Sequence, residues 1–523
     1  MNPTEPQQPV AASHDIDAKS QDIGGMANDT HANDTHASTH DIGAATTSPH
    51  ATAFADADRI FEDFILDAHV PGLVYGIVAG GAQIHSKALG VQDLDTKRPV
   101  TMDSLFRIAS MTKVFTALTI LKLRDDGRLR LDELAETYVP EMRGWTYPTL
   151  DSPRIRVRDL LNHTAGFVTD DPWGDRQQVL SDDLFSGLLR NGVRFAGVPA
   201  MIMEYSNLGY ALLGRIITNV SGRPYADEIT RTLLEPLGMS SSGFVADVAG
   251  VENRAKGYRW EDDAWSPEPL MGHGAFGAMG GLHTTANDFV KWVSFLLSAW
   301  PPRDDPDVGV VKRATVRELA QGSNFPALIA PRPAIDGQDK ARRASTYAMG
   351  LTVTVDTEFG VTLSHSGGYP GFGSFVVLLP KHGIGIFAFA NRTYGAPRHA
   401  VLDALAVLNK AGHLEERALP IGADLVDAYR AVGAIYRNGD VTNAAALLAD
   451  NFLLDRDAAG WARDLAELRR KVGECDTTSP LVAKSALEAD FTWRGATGRI
   501  AGNILLTPTN PPRIQALTLS VKG

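Results

Sequence analysis

Two polar residues three positions apart, Ser110 and Lys113, offer the clearest chemistry in the chain and form its one Ser-x-x-Lys sequence. On a helix, this spacing places the lysine amine beside the serine hydroxyl. A serine hydroxyl becomes a useful nucleophile when a neighbouring base takes its proton. Lysine can be that base only if burial or a nearby cation lowers its pKa from about 10.4 toward neutrality. The apolar neighbours Val114 and Phe115 favour burial; the alternative is a helix-capping serine and a solvated lysine.

Two further stretches carry polar groups suited to the same chemistry. Tyr205 stands two residues before Asn207, and in an extended segment such positions point the same way. A phenol near a lysine can carry a proton, and an amide can orient a substrate carbonyl. His365 precedes Gly367 and Gly368 at the end of a predicted edge strand, where glycines allow close approach and bare an N–H for an oxyanion. The alternatives are a core tyrosine, a turn asparagine and a turn histidine.

Taken in order, these three motifs resemble the active-site set of the penicillin-recognising serine hydrolases. That superfamily includes class C β-lactamases, D-Ala-D-Ala carboxypeptidases, D-aminopeptidases and related esterases. The resemblance extends over about Ala55 to Leu408. It is carried by stretches similar to the family's conserved segments at Leu160–Gly166, Tyr205–Gly214, Gly280–Asp288 and Gly367–Asn391.

The resemblance implies a role for each matching residue. Ser110 would attack a carbonyl and form an acyl-enzyme, while Lys113 and Tyr205 manage the proton that passes from the serine to the leaving group. The backbone N–H groups of Ser110 and Gly368 would hold the oxyanion. Water would then release the acyl group, with no metal and no organic cofactor required.

Asn207 and His365 would orient the substrate, and the histidine departs from the β-lactamase pattern. Those enzymes usually carry lysine at the position of His365, and lysine suits the carboxylate of a β-lactam. Histidine has an ordinary pKa near 6.5 and is mostly neutral at pH 7. The histidine form resembles peptidases, D-aminopeptidases and some esterases.

The expected function is therefore hydrolysis of amide bonds in short peptides, including those with D- or non-proteinogenic residues. A linearised cyclic peptide toxin is a further candidate substrate that no motif selects. One alternative is a carboxylesterase for small acyl groups. The other is a non-catalytic sensor or scaffold that binds peptides in the same cleft.

The elements that must position these residues predict an α+β fold. Leu73–Val78 and Ile84–Val91 form a predicted hairpin, and Ser110–Asp126 is the clearest helix. Further strands are predicted at Tyr347–Val355, Val361–Ser364, Gly373–Leu379 and Ile384–Ala390. Strands at both ends with helices between them indicate an antiparallel sheet flanked by helices, with an all-helical region.

Composition along the chain divides it into four parts. Residues 1–53 are rich in His, Thr and Asp and are expected to be disordered, with order beginning near Ala55. A β-lactamase-like domain is predicted for 54–410. The segment from about Ala396 to Ile421 is interpreted as a linker helix and loop, with the linker itself at 411–422. Residues 423–523 predict a small α+β cone of the NTF2-like or cystatin-like type.

Charge and hydropathy exclude several classes of protein. The 523 residues carry a formal net charge of −12, which argues against a nucleic-acid partner. No apolar run reaches the ~18 residues that span a bilayer. The single cysteine, Cys475, excludes an intramolecular disulfide. No signal-peptide pattern is present, so a cytoplasmic location is expected, with a periplasmic one as the alternative if the start lies elsewhere, as at Met26. A homo-oligomer is among the expected assemblies.

Overall fold

A computed structural model describes residues 49–244, 251–324, 326–333 and 340–522. The predicted tail lies largely outside these residues, but its boundary at residue 53 is wrong, because a helix begins at Pro49. The strands are β1 (Gly72–Ala79), β2 (Ala82–Gly90), β3 (Phe106–Arg107), β4 (Tyr258–Glu261), β5 (Ala264–Pro267), β6 (His283–Thr284), β7 (Ala327–Pro333), β8 (Lys340–Tyr347), β9 (Thr352–Asp356), β10 (Gly360–Tyr369), β11 (Phe372–Leu379), β12 (Ile384–Ala390), β13 (Val482–Ala483), β14 (Glu488–Arg494), β15 (Arg499–Leu506) and β16 (Ile514–Lys522).

Helices fill the chain between the first and last strands of the larger sheet and also flank that sheet. They are α1 (Pro49–Asp67), α2 (Thr112–Asp125), α3 (Ala135–Tyr138), α4 (Val157–Leu161), α5 (Asp171–Gly174), α6 (Asp182–Arg190), α7 (Asn207–Ser221), α8 (Tyr225–Ile229), α9 (Gly277–Gly280), α10 (Ala286–Leu297), α11 (Arg313–Glu318), α12 (Arg398–Lys410), α13 (Ala423–Asn438), α14 (Phe452–Asp455) and α15 (Ala458–Val472). Short 3₁₀ turns include Ala109–Met111 and Val441–Leu447.

The larger sheet is antiparallel, with strand order β2-β1-β12-β11-β10-β9-β8-β7. The predicted hairpin is confirmed as β1 and β2, joined at Gly80 and Gly81, which both have positive φ. The N-terminal strand β1 pairs with β12 along its length, so the two ends of this region meet as the second and third strands from one edge of the sheet. The predicted α+β fold with an antiparallel sheet is confirmed.

Apolar side chains cover both faces of this sheet. On one face, α2 and α10 pack with the helical region, and Phe115 stacks on Trp292 with ring centroids 3.7 Å apart. On the other face, α1 and α12 pack on the sheet through residues such as Phe61 and Leu405. The interpretation of the helix after Ala396 as part of a linker is therefore wrong, because α12 buries its apolar side against the sheet.

Two predicted strand boundaries differ from the structure. The single strand predicted over Tyr347–Val355 is divided into β8 and β9, because the chain reverses around Gly350, which has φ of 86°. The strand predicted to end at Ser364 continues as β10 to Tyr369. The second difference places His365, Gly367 and Gly368 inside a strand instead of in a turn.

The C-terminal residues form a small α+β unit with its own core. The strands β13 to β16 make a four-stranded antiparallel sheet in chain order. Helices α13 and α15 pack on it around Trp493 and Tyr436. Helix α15 is not among the predicted elements, because its sequence is rich in charged residues and only a few positions, such as Leu465, are buried. No helix in the described ranges of either region is long and apolar enough to span a bilayer.

Candidate active site

Ser110 lies in the 3₁₀ turn that leads into the central helix α2. The turn begins at Ala109, whose φ of 48° is rare for a residue with a side chain. Ser110 is 8% exposed, at the floor of a cavity, while almost every residue of α2 is buried. The candidate nucleophile therefore lies at the start of a buried helix, at the point where that helix meets the cavity.

Lys113 is fully buried one turn further along the chain. Its Nζ donates to Ser110 Oγ at 3.1 Å, to Asn207 Oδ1 at 2.7 Å and to the carbonyl of Met279 at 2.9 Å. Burial lowers the pKa of Lys113 to about 8, although nearby aspartates act in the opposite direction. The amine is thus fixed beside the hydroxyl with a pKa suited to a base.

Tyr205 reaches the same two groups from the start of α7. Its ring lies 4.8 Å from Lys113 Nζ, and its phenol interacts with the hydroxyl of Ser110. Burial raises the pKa of Tyr205 well above its ordinary value, so the phenol keeps its proton at rest. His163 holds this turn in place, because its Nδ1 accepts from the Ser206 N–H at 3.0 Å and its ring packs on Tyr205.

Asn207 faces Lys113 and not the substrate cavity. It is fully buried and bonds Lys113 through Oδ1 and Asp171 Oδ1 through Nδ2, at 2.7 and 2.8 Å. Tyr205 and Asn207 both reach Lys113 Nζ, but strand alternation does not produce this, because the chain turns from extended at Ser206 to helical at Asn207. Alternation of side chains holds only within an extended segment.

His365 is held by hydrogen bonds to a second phenol, that of Tyr347, and to the backbone of its own strand. Its Nε2 lies 3.0 Å from Tyr347 Oη, and its Nδ1 lies 2.6 Å from the carbonyl of Ser366. Since a carbonyl only accepts, Nδ1 carries the proton and Nε2 accepts from Tyr347. Burial, with the charge of Lys113, lowers the pKa of His365 to about 3, so the ring is neutral. Tyr347 is a site residue that the sequence did not single out.

The glycine pair lies inside the sheet and not on an edge strand as predicted. Strand β10 pairs with β11 through Tyr369, but its pairing with β9 ends at Ser364. The backbone of Gly367 and Gly368 is therefore unpaired on one side only. A side chain at Gly367 would meet the Ile108 carbonyl at 2.3 Å, so glycine lets this strand approach the turn that carries the serine.

Replacing Gly367 with alanine should lower the free energy of unfolding by about 1–3 kcal/mol, because the added methyl group has no room beside the Ser374 hydroxyl and the Ile108 carbonyl. Gly187→Ala is the matched control, since Gly187 lies in α6 with nothing within 4 Å of the new methyl group. That change should stabilise the protein by roughly 0.5–1 kcal/mol. Urea unfolding of both variants measures the difference, and equal effects would contradict the close contact at Gly367.

These elements enclose a cavity of about 320 Å³. Four of the predicted site residues line it: Ser110, Tyr205, His365 and Gly368. Tyr347, the hydrogen-bond partner of His365, lines it as well. Sequence reasoning missed the others, which are Asp171, Asp175, Met203, Thr352, Ser366 and Tyr394. Met203 and Ser366 lie close to Tyr205 and His365 in the sequence, and Asp171 and Asp175 are four positions apart, but no motif marks them as lining the same cavity.

Three aspartates between α4 and α6 lie near this cavity. Asp170 accepts from the backbone N–H groups of Asn207 and Leu208 at 2.6 and 2.9 Å, and so caps the start of α7. Asp171 and Asp175 line the cavity itself. Burial raises the pKa of Asp175 to about 6, against the lowering effect of a hydrogen bond from Tyr394.

Comparison with known proteins agrees with this architecture. The family model described as Beta-lactamase matches residues 57–410. The curated Protein flp of Staphylococcus aureus (strain NCTC 8325 / PS 47) is 29% identical over 342 residues, which cover 64% of this chain and 62% of that protein. The chain therefore spans less than two thirds of that relative's length.

Solved structures show the same fold at lower sequence identity. The octameric penicillin-binding protein homologue from Pyrococcus abyssi is 20% identical with a TM-score of 0.57, over 90% of this chain and 99% of that one. D-alanine carboxypeptidase AmpC from Burkholderia cenocepacia is 20% identical with a TM-score of 0.53, over 69% of this chain and 99% of that one. The first match thus extends beyond the part that the family model covers.

The fold and the arrangement around Ser110 are those of the serine hydrolase class. More specifically, the chain belongs to the beta-lactamase family, whose model matches well over half of it.

Proposed function

We propose that the protein hydrolyses amide bonds of short peptides through an acyl-enzyme on Ser110. The observation that carries this proposal is the 3.1 Å hydrogen bond between Lys113 Nζ and Ser110 Oγ, with burial lowering the pKa of the lysine to about 8. At neutral pH a fraction of such lysines is unprotonated and able to take the serine proton. That fraction would be negligible for a lysine in water.

Each step of the reaction then has a group to perform it. Lys113 takes the proton of Ser110, and Oγ bonds to the substrate carbonyl carbon. The oxyanion accepts hydrogen bonds from the N–H groups of Ser110 and Gly368. The phenol of Tyr205 gives its proton to the leaving nitrogen and is reprotonated from Lys113. Attack by water then releases the acyl group and restores the serine.

The charge state of His365 favours substrates without a carboxylate at its position. The neutral imidazole accepts from Tyr347, so it offers a substrate no positive charge. A β-lactam carboxylate would therefore lack the cation that lysine supplies in β-lactamases. This supports peptide hydrolysis over a dedicated β-lactamase activity.

The shape of the cleft favours peptides over small acyl esters. The catalytic cavity shares Met203, Tyr347 and Thr352 with a neighbouring cavity of about 670 Å³. The combined cleft has room for several residues of a peptide on one side of Ser110. A small ester would fill only the catalytic part, although the same serine would acylate with it.

The C-terminal unit supports a proposal about assembly. The Pyrococcus abyssi homologue is octameric, and the match to it covers 90% of this chain. We therefore expect residues 423–523 to form a separate domain that takes part in a homo-oligomer. Light scattering of the full chain measures the assembly directly.

Trapping the acyl-enzyme tests the proposed function. A fluorophosphonate probe should add to Ser110, and short D- and L-peptides capped at either end should leave a transient acyl mass on the same residue, read by mass spectrometry. Peptide turnover should exceed p-nitrophenyl ester turnover relative to their uncatalysed rates. Failure of the probe to label Ser110 would instead favour a non-catalytic peptide-binding protein.

A further inference from the structure

The catalytic cavity holds negative charge without accessible positive charge. Asp171 and Asp175 line it, and the other residues that line this cavity include no arginine or lysine. Lys113 lies behind the wall, fully buried and donating to three acceptors. His365 is neutral because Nδ1 donates to a carbonyl and Nε2 accepts from a phenol. A substrate that enters therefore meets two carboxylates beside the nucleophile.

Each of these carboxylates has one oxygen already engaged. Asp171 Oδ1 accepts from Asn207 Nδ2 at 2.8 Å, and Asp175 Oδ2 accepts from Tyr394 Oη at 3.0 Å. Within the described part of the chain, the second oxygen of each carboxylate accepts no hydrogen bond from a side chain. Asp170 is different, because both of its oxygens bond the start of α7. Two acceptor atoms on the cavity wall are thus available to a ligand.

A ligand with an ammonium group fits these acceptors. An ammonium has three N–H donors and no acceptor, so it can satisfy both free oxygens. It would also offset the cost of keeping Asp175, which is 3% exposed, away from water. A substrate carboxylate in the same place would be repelled by like charge. The carboxylates do not suit a metal ion, because no group of three or more His, Cys, Asp or Glu among the described residues is placed to hold one.

We propose that Asp171 and Asp175 bind the free α-amino group of the residue whose carbonyl Ser110 attacks. The preferred substrates are then peptides and amino-acid amides with an unblocked amino end. This inference rests on the proposed function, since it assigns a substrate feature to the same site. The α-nitrogen and the carbonyl carbon of one residue are two bonds apart, which suits a cavity of about 320 Å³ that contains both the serine and the carboxylates.

The test compares alanine p-nitroanilides, in both D and L forms, with their N-acetyl counterparts. The free amine should raise kcat/KM on the order of 10–100-fold for the preferred enantiomer, the range expected for a charge-assisted hydrogen bond. The double change Asp171→Asn and Asp175→Asn should reduce this preference to a few-fold or less. Asp183→Asn is the matched control, because it removes an exposed carboxylate outside the cavity and should keep the full preference.

The outcomes separate this inference from the proposed function. Labelling of Ser110 and turnover without a preference for the free amine would overturn the inference alone. The same conclusion would follow if the double variant kept the full preference. Neither labelling nor turnover of any substrate would overturn both. If the double variant does not fold, competition of free and N-acetylated alanine amides for the wild-type enzyme decides the question, and equal inhibition overturns the inference.

Discussion

Replacing Ser110 with alanine should lower kcat/KM on peptide substrates by on the order of 10⁴-fold or more. The change removes the oxygen that forms the acyl bond, and no neighbouring group can replace it in covalent catalysis. The fold should survive, because Lys113 Nζ keeps its bonds to Asn207 and to the Met279 carbonyl. Loss of one hydrogen bond costs about 1 kcal/mol, so the melting temperature should change by only a few degrees.

Ser366→Ala is the matched control for this experiment. Ser366 lines the same cavity but has no lysine amine beside its hydroxyl, and its backbone carbonyl still accepts from His365 in the variant. Its rate should fall less than 10-fold. Turnover by Ser110→Ala within 10-fold of the wild type, measured on protein whose melting temperature is within a few degrees of the wild type, would mean that another residue is the nucleophile.

The sequence predicted the chemistry of the site better than its geometry. The spacing of Ser110 and Lys113 predicts their contact because neighbouring positions on a helix are fixed by local geometry. The placement of Asn207 is harder to predict, because it depends on where the chain turns from extended to helical, which the structure places between Ser206 and Asn207. The Asn207 amide oxygen therefore bonds the lysine, whereas the sequence suggested a contact with the substrate.

Long-range partners could not be predicted from a single sequence. Tyr347 and His365 lie in β8 and β10, which are separated by β9, and their hydrogen bond depends on how three strands align. Tyr394 and Asp175 are 219 positions apart in the chain. No local sequence motif predicts such pairs. The hairpin β1–β2, by contrast, is predicted by two adjacent glycines at which the chain reverses.

The pattern of apolar residues and the positions of glycines predict most strands and helices of the fold. The exceptions are elements with many charged residues. Strands β11 and β12 are almost entirely buried, and their continuous apolar runs predict them well. Helix α15 buries only Leu465 and a few other positions, so its sequence resembles a charged loop. The sequence predicts a helix at α12, but the packing of α12 on the sheet depends on contacts with α1 from the other end of the domain.

Replacing Tyr205 with phenylalanine should lower kcat by on the order of 10²–10⁴-fold, because the variant keeps the ring but loses the group that passes a proton to the leaving nitrogen. Since the phenol stays protonated at rest, its loss should not shift the pH dependence of the remaining rate. That rate should still rise with pH up to about 8 and then level off, because the pKa of Lys113 is lowered to about 8 and only the unprotonated amine accepts the serine proton.

Tyr210→Phe separates this role from the effect of removing any buried phenol near the lysine. The Tyr210 ring lies 5.5 Å from Lys113 Nζ, but its hydroxyl donates to the Leu161 carbonyl and does not line the cavity. That variant should lose about 1–3 kcal/mol of stability and less than 10-fold in rate. Steady-state rates across pH 5–10 distinguish the two variants, and a near-normal rate for Tyr205→Phe would remove the phenol from the proton path and leave Lys113 to protonate the leaving group directly.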